Sequence, residues 1–236
     1  MLDSEDCMEV FKSIPFKLEP KQVLKQLRLG KENKDIERIV QELVEIVCPI
    51  AKPKAVYKIS YVDNKNGDSL CIDGIKFTSR VLRVNLDKVE RVFPYVVTCG
   101  TELDEIDVSP NDYMRYYCLD TIKEMALRSA RRYLQDYLTR NYALGQVSKM
   151  APGSGSVEDW PITQQKELFS IFGNVKDAIG VQLTETFLMI PIKSVSGIFF
   201  PTEIKFESCQ LCPREVCISR RAPYDPDLVK KYRQNI

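Results

Sequence analysis

Three cysteines lie close together in the segment CQLCPREVC, at Cys209, Cys212 and Cys217. Thiolates at this spacing can hold zinc or an iron-sulfur cluster, and both usually take four protein ligands in structural sites. The fourth ligand would come from a partner protein or from one of the other cysteines, which are Cys7, Cys48, Cys71, Cys99 and Cys118. The alternative is a set of reduced structural thiols, since the chain has no second closely spaced pair.

The chain contains no histidine. It therefore cannot supply a Ser-His-Asp or Cys-His pair, an imidazole ligand to zinc, or a histidine base. This excludes a large share of hydrolase chemistry.

Two further segments carry residues that can bind anions. The run PGSGS (152–156) lacks the Lys-Ser or Lys-Thr that completes a phosphate-binding loop, so we interpret it as a flexible turn. The run ISRRAPYD (218–225) could dock carboxylates of a partner or, less readily, nucleic-acid phosphates. A solvated surface turn is favoured, because the basic cluster is only two arginines long.

Apolar periodicity predicts the helices that would hold these segments. A short helix is expected over 19–30, ending at Gly30, and an amphipathic helix over 34–47, ending before Pro49. A helix over 161–173 would have Pro161 in its first turn and Gly173 as its cap. The longest helix is predicted over about 111–139, with one buried stripe formed by Tyr113, Tyr117, Ile122, Met125, Ala130, Tyr133 and Tyr137.

The remaining segments show the composition of short strands. The predicted strands are VYKISYV (56–62), VLRVNL (81–86), YVVTCG (95–100), TFLMIPI (186–192) and SGIFFPTEIKF (196–206). Turn-rich segments such as DNKNGD (63–68) separate the first of them. The pattern indicates an antiparallel sheet.

Composition limits the class of protein and its partners. The 236 residues include 44% hydrophobic and 28% charged residues, which is typical of a folded globular chain. Lys and Arg number 34 against 33 Asp and Glu, so no excess charge favours nucleic acid. The acidic first residues lack the features of a signal peptide, and no run is long enough to span a membrane. We expect a cytoplasmic protein that binds neither nucleic acid nor membrane.

The stretch GVQLTETFLMIPIKSVSGIFF (180–200) resembles a signature of the activation domain of cobalamin-dependent methionine synthase, which reads L-T-E-S-F-x-M-x-P-x-x-S-V-S-G. Earlier, KMAPGSG (149–155) falls where that family has an R-P-A-P-G-Y loop. The resemblance is good over 112–200, and the part before it looks like the short, stand-alone members of the family. It implies one α+β domain over 1–207, with a twisted antiparallel sheet flanked by helices. The Cys-containing tail that we assign to 208–236 has no counterpart in the methionine synthase domain.

The resemblance also implies a function. Members of the family bind S-adenosylmethionine while a corrinoid on another module accepts its methyl group, so this chain would reactivate a separate methionine synthase or corrinoid methyltransferase. An electron donor such as a flavodoxin or a ferredoxin would complete the reaction. The cofactors carry the difficult chemistry and the protein positions them. Because the chain has no histidine to ligate cobalt, cobalamin must stay on the partner.

The residues that we assign to S-adenosylmethionine, all but Trp160 from the resemblance, are Lys149, Ala151, Pro152, Gly153, Ser154, Trp160, Glu185 and Ser196. Lys149 stands at the position of the loop arginine and offers a point charge instead of a planar fork. Ser154 replaces the loop tyrosine, so Trp160 or a nearby tyrosine could supply the missing ring, unless Trp160 is a packed residue at the helix entry. Glu185 and Ser196 also fit the ordinary alternation of a sheet.

A second hypothesis is a non-catalytic module. Such a module would sense S-adenosylmethionine or use a metal held by the cysteine tail to bind another protein. The departures at Lys149 and Ser154 leave this alternative open.

Overall fold

The computed structural model describes residues 8–27, 33–155, 159–218 and 220–233. The predicted ligand Cys7 and the predicted helix stop Gly30 lie outside these ranges. Ten strands are described: β1 (Glu9–Phe11), β2 (Lys54–Tyr57), β3 (Ser60–Asn66), β4 (Ser69–Ile72), β5 (Ile75–Thr78), β6 (Arg91–Thr98), β7 (Val147–Met150), β8 (Gln182–Leu183), β9 (Met189–Ile190) and β10 (Ser194–Pro201).

Seven α-helices accompany these strands in the described ranges. They are α1 (Pro20–Leu27), α2 (Lys34–Ile50), α3 (Arg80–Asn85), α4 (Tyr113–Asn141), α5 (Gln165–Ser170), α6 (Val175–Ile179) and α7 (Pro226–Arg233). Short 3-10 helices span Glu102–Glu105, Ile162–Gln164 and Ser208–Leu211.

Strand β6 organises the main sheet. One of its edges pairs with β10, and its other edge pairs first with β3 and then with β2. Addition of β1 to β2 and of β7 to β10 gives the order β1-β2-β6-β10-β7, and β4 and β5 continue from β3 as a meander. Every pairing is antiparallel. The predicted α+β architecture, an antiparallel sheet flanked by helices, is confirmed.

Helices α1, α2 and α4 cover one face of this sheet, which we call the helical face. Helix α2 begins at a cap, because the side chain of Asn33 accepts hydrogen bonds from the backbone of Asp35 and Ile36. Its buried residues recur at three- and four-residue steps and meet those of α4. The apolar side chains of the three helices form one core with the sheet.

The other side of the sheet, the opposite face, carries shorter elements. The meander β3–β5 packs there with α3, α5, α6, α7 and the apolar residues Phe206 and Leu211. The largest side chains in this second core include Phe77, Trp160 and Phe200, all fully buried. Leu211 and Tyr232 belong to this core, Arg80 Nε donates a hydrogen bond of 2.8 Å to the carbonyl of Tyr232, and the Tyr232 hydroxyl donates one to Asn85.

Two predicted strands are wrong. The segment VLRVNL forms α3, because Ser79 caps its first turn by accepting a hydrogen bond from the backbone of Leu82. The segment TFLMIPI contributes only the two residues of β9. A turn precedes β9, in which the backbone of Phe187 donates to the carbonyl of Thr184 and adopts a φ of 63°.

Three helix predictions also need correction. Helix α2 continues through Pro49 to Ile50 and does not end before Pro49 as predicted. The predicted helix over 161–173 is divided into the 3-10 turn Ile162–Gln164 and α5, with Pro161 as the cap residue before the turn. In α4 the buried stripe includes Ile122 and Ala130 as predicted, but Tyr113 and Tyr117 are 78% and 48% exposed. The buried stripe of α4 begins at Cys118.

A membrane-spanning helix would need a long apolar stretch. Among the helices in the described ranges, none has the length and apolar character that such a span requires.

Candidate functional site

Lys149 lies on strand β7 and not in a loop as predicted. Strand β7 pairs only with β10 among the described strands, so it forms an edge of the sheet. Its register places Lys149 opposite Phe199, and the next residue, Met150, packs into the core of the opposite face. Because side chains alternate along a strand, the Lys149 side chain leaves the sheet on the side of α4.

A glutamate and an arginine from beyond β10 complete a charged cluster around Lys149. Lys149 Nζ lies 3.8 Å from Glu207 Oε1, and Arg221 Nε lies 3.1 Å from Glu207 Oε2. The side chains of Lys149 and Glu207 are 20% and 12% exposed. Burial lowers the pKa of Lys149, and the charges of Arg221 and Arg131 add to this while Glu207 opposes it. Glu207 is not among the residues predicted from the sequence, and Arg221 belongs to the segment predicted to be a solvated turn.

The segment after β7 is a tight turn, as predicted. The backbone of Ser154 donates to the carbonyl of Ala151 at 3.1 Å, and the backbone of Gly153 donates to the carbonyl of Trp160 at 2.7 Å. Pro152 is buried below them. The turn therefore holds Ala151, Pro152, Gly153 and Ser154 close together, and its hydrogen bond to the backbone of Trp160 fixes it to the rest of the domain.

This turn packs closely against Ser208 at Gly155. A Cβ placed on Gly155 would lie 3.3 Å from the Ser208 Cβ and 2.9 Å from the Asp159 Oδ2, and the φ of Gly155 is +95°. Both the space and the backbone conformation favour glycine at this position. The turn that follows Lys149 and the residues next to Glu207 thus touch directly.

Trp160 is fully buried and its ring contacts the edge of Phe77, with ring centroids 5.9 Å apart. Its Nε1 has no hydrogen-bond partner among the described residues. In this conformation the ring offers no face to a ligand, which agrees with the alternative of a packed residue. The hypothesis that it replaces the loop tyrosine would require the core to open.

The two remaining candidates, Glu185 and Ser196, lie apart from the charged cluster. Glu185 is exposed in the turn before β9. In the described ranges, no hydrogen bond or ion pair joins it to the turn 151–155 or to the charged cluster. Ser196 is buried on β10, and its Oγ has no described hydrogen-bond partner. The next residue is a glycine because a Cβ on Gly197 would lie 2.4 Å from the carbonyl oxygen of Met150.

The decisive comparison concerns the segment that contains these residues. Residues 130–207 match the family model of the vitamin B12 dependent methionine synthase activation domain. The resemblance predicted from the sequence is confirmed, and the matched segment includes every residue that we assigned to S-adenosylmethionine. No curated protein matches the chain.

A solved structure extends the likeness in fold beyond the matched segment. The crystal structure of the MetH reactivation domain bound to AdoHcy superposes with a TM-score of 0.56 at 14% sequence identity. The alignment covers 86% of this chain and 81% of that chain. At this level of identity the comparison establishes the fold of an activation domain.

The three cysteines that follow the activation-domain match are not brought together as a metal site within the described residues. Within 8–27, 33–155, 159–218 and 220–233, no group of three or more His, Cys, Asp or Glu residues is placed to hold a metal ion. Cys209 instead accepts a hydrogen bond of 3.5 Å from the backbone of Arg221. Burial opposes its thiolate, but the backbone of Arg221 and Ala222 and the Arg221 charge outweigh burial and lower the pKa of Cys209.

A cavity of about 760 Å³ lies beyond the other end of β7. Its walls include Asn85, Arg91, Ile204, Phe206 and Tyr232. None of the residues assigned to S-adenosylmethionine lines it. The charged cluster at Lys149 also lies outside this cavity, because none of Lys149, Glu207 and Arg221 lines it.

Proposed function

We propose that this chain binds S-adenosylmethionine and supports the reductive methylation of cobalamin on a separate methionine synthase or corrinoid methyltransferase. One observation carries the proposal: the family match over 130–207 contains both the turn after Lys149 and the segment 180–200. The likeness in fold to a domain crystallised with AdoHcy supports it, because AdoHcy is what remains of S-adenosylmethionine after its methyl group has been transferred.

The charged cluster suits the amino-acid end of this ligand. Lys149 and Arg221 share one carboxylate, that of Glu207, and Arg131 has no ion pair in the part of the chain that the structure describes. The cluster therefore carries excess positive charge, which favours a ligand carboxylate. The turn 151–155 brings backbone groups next to it. In this proposal the chain orients the ligand, and bound S-adenosylmethionine supplies the methyl group.

The corrinoid and the electron come from other proteins. The sequence has no histidine to ligate cobalt from below. We therefore propose that cobalamin stays on a methyltransferase partner and that a donor such as a flavodoxin or a ferredoxin delivers the electron. The chain would act as one component of a cytoplasmic system for methionine synthesis, with no membrane or nucleic-acid partner.

Calorimetry on the full chain tests ligand binding. We expect Lys149→Ala to weaken binding of AdoHcy at least about tenfold, since a hydrogen bond to a charged group contributes roughly 1.5–3 kcal/mol. Lys76→Ala is the matched control, because Lys76 is an exposed lysine on strand β5 with no described ion pair. Equal affinities for the wild type and the folded Lys149→Ala variant would remove Lys149 from the site.

A reactivation assay separates the proposed function from a sensor. A methionine synthase that lacks its own activation domain, with its cobalamin oxidised, would be mixed with this chain, labelled S-adenosylmethionine and a low-potential reductant. We expect transfer of the labelled methyl group to the corrinoid and recovery of methionine synthesis. Binding without methyl transfer to several corrinoid proteins would contradict the reactivation role and favour a sensor.

A further inference from the structure

We propose that Arg221, from the tail beyond the activation-domain match, binds the carboxylate of S-adenosylmethionine together with Lys149. The inference rests on the proposed function and adds a residue that the family match, which ends at residue 207, does not contain. The three cysteines of the tail suggested that it binds a metal. The inference instead gives the tail a part in binding S-adenosylmethionine.

The geometry places Arg221 in the same cluster as Lys149. Glu207 lies between them, with one oxygen 3.8 Å from Lys149 Nζ and the other 3.1 Å from Arg221 Nε. Glu207 Oε2 is buried and makes no aligned hydrogen bond, so the contact with Arg221 is an ion pair of imperfect geometry. The guanidinium is therefore held near Lys149 without being saturated by Glu207.

The charge of the cluster favours an added anion. Lys149 and Arg221 carry two positive charges, Glu207 carries one negative charge, and Arg131 on α4 adds a third cation close enough to lower the pKa of Lys149. Arg131 has no ion pair among the residues that the structure describes. Clustered cations that are partly removed from water repel one another, and a ligand carboxylate relieves this repulsion.

The exposure of the Arg221 side chain leaves the charged cluster accessible to a ligand. The Arg221 side chain is 39% exposed, more than those of Lys149 and Glu207, so it forms the outer wall of the cluster. Its backbone is fixed from behind, because its N–H donates to the Cys209 thiol. Neighbouring Arg220 fastens the tail, with guanidinium hydrogen bonds to the carbonyls of Cys209 and Cys212.

The chemistry explains how the chain can tolerate lysine at position 149. A lysine ammonium is a point charge, whereas a guanidinium presents a planar fork that matches a carboxylate with two hydrogen bonds. The family loop has arginine at this position, and here the tail brings a guanidinium beside the lysine. Arg221 and Lys149 together thus offer the charge and the fork that a single loop arginine would offer.

The test uses two probes that differ in the carboxylate. AdoHcy carries the amino-acid end, and 5′-methylthioadenosine has the same nucleoside and thioether but no carboxylate. Calorimetry on the full chain should show that Arg221→Ala weakens AdoHcy binding at least about tenfold. Binding of 5′-methylthioadenosine should change less than about twofold. Arg221→Lys should lose less than Arg221→Ala, because it keeps the charge.

Arg214→Ala is the matched control, since Arg214 is an exposed tail arginine with no described ion pair. Equal losses for both probes would overturn the inference, because Arg221 would then only fix the tail. Unchanged AdoHcy affinity in folded Arg221→Ala would also overturn it and leave the proposed function standing. A wild-type chain that binds neither probe would overturn both, and thermal unfolding of each variant confirms that it is folded.

Discussion

The helical face and the opposite face of the sheet are built in different ways. The helical face consists of α1, α2 and α4, whose apolar residues recur regularly and pack into one core. The opposite face consists of short helices, a meander and turns, and it buries the side-chain polar atoms of Trp160 and Ser196 without described partners. The candidate site lies at the β7 edge, where elements of both faces meet. Long regular elements thus provide the frame, and mostly short elements provide the proposed ligand-binding groups.

The largest expected effect tests the frame. Leu134 on α4 is fully buried in the core of the helical face. Leu134→Ala should lower the free energy of unfolding by about 2–5 kcal/mol, because it removes buried methyl groups and leaves a cavity. Urea denaturation measures the loss, and AdoHcy affinity should stay the same in the folded variant.

The matched control for this substitution is Leu188→Ala, at a leucine that is 63% exposed. It should change the free energy of unfolding by no more than about 0.5 kcal/mol. Similar losses at both positions would contradict the assignment of the helical face as the stabilising frame.

A smaller effect compares one thiol from each face. Cys99, on the helical face, has its pKa raised to about 12, chiefly by burial and also by the charge of Asp104. The pKa of Cys209, in the tail, is lowered. At pH 7.5 iodoacetamide should modify Cys209 at least about thirtyfold faster, because the larger thiolate fraction outweighs the weaker nucleophilicity of a less basic thiolate.

Peptide mass spectrometry would follow both thiols as the pH is raised. The rate at Cys209 should level off once the pH exceeds its lowered pKa, while the rate at Cys99 continues to rise. Cys209→Ser identifies the fast modification. Equal rates at the two thiols would show that the tail does not stabilise a thiolate.

The smallest expected effect concerns Trp160. Trp160→Phe removes ring atoms from the core but also removes an Nε1–H group with no described acceptor, and these changes offset each other. We expect the free energy of unfolding to change by about 1 kcal/mol or less, and the AdoHcy dissociation constant not to change. A tenfold loss of affinity in the folded variant would instead support a direct contact between the indole and the nucleoside.

Sequence periodicity predicted the frame well. Helices α2 and α4 and the antiparallel pairing followed from apolar residues at helical and strand spacing, which depends only on neighbours along the chain. The strand predicted for VLRVNL was wrong. Its β-branched residues favour a strand, but the cap at Ser79 and packing in the core of the opposite face stabilise a helix.

The candidate site was predictable only in part. The turn 151–155 and Lys149 followed from the resemblance, because each lies within a contiguous motif. The partnership of Lys149 with Glu207 and Arg221 joins residues far apart in the sequence and depends on how the tail returns to β7. The residue pattern along the sequence alone therefore predicted a metal site at the cysteines and a solvated turn at Arg221.

The edge position of β7 has a consequence for self-association. An edge strand presents unpaired backbone groups on which a strand of another molecule can add, and a charged side chain that would be buried by such pairing disfavours it. Lys149 is such a charge, on a four-residue strand that pairs, among the described strands, with β10 alone. We therefore expect the lysine that is proposed to hold a ligand also to disfavour strand addition at this edge of the sheet.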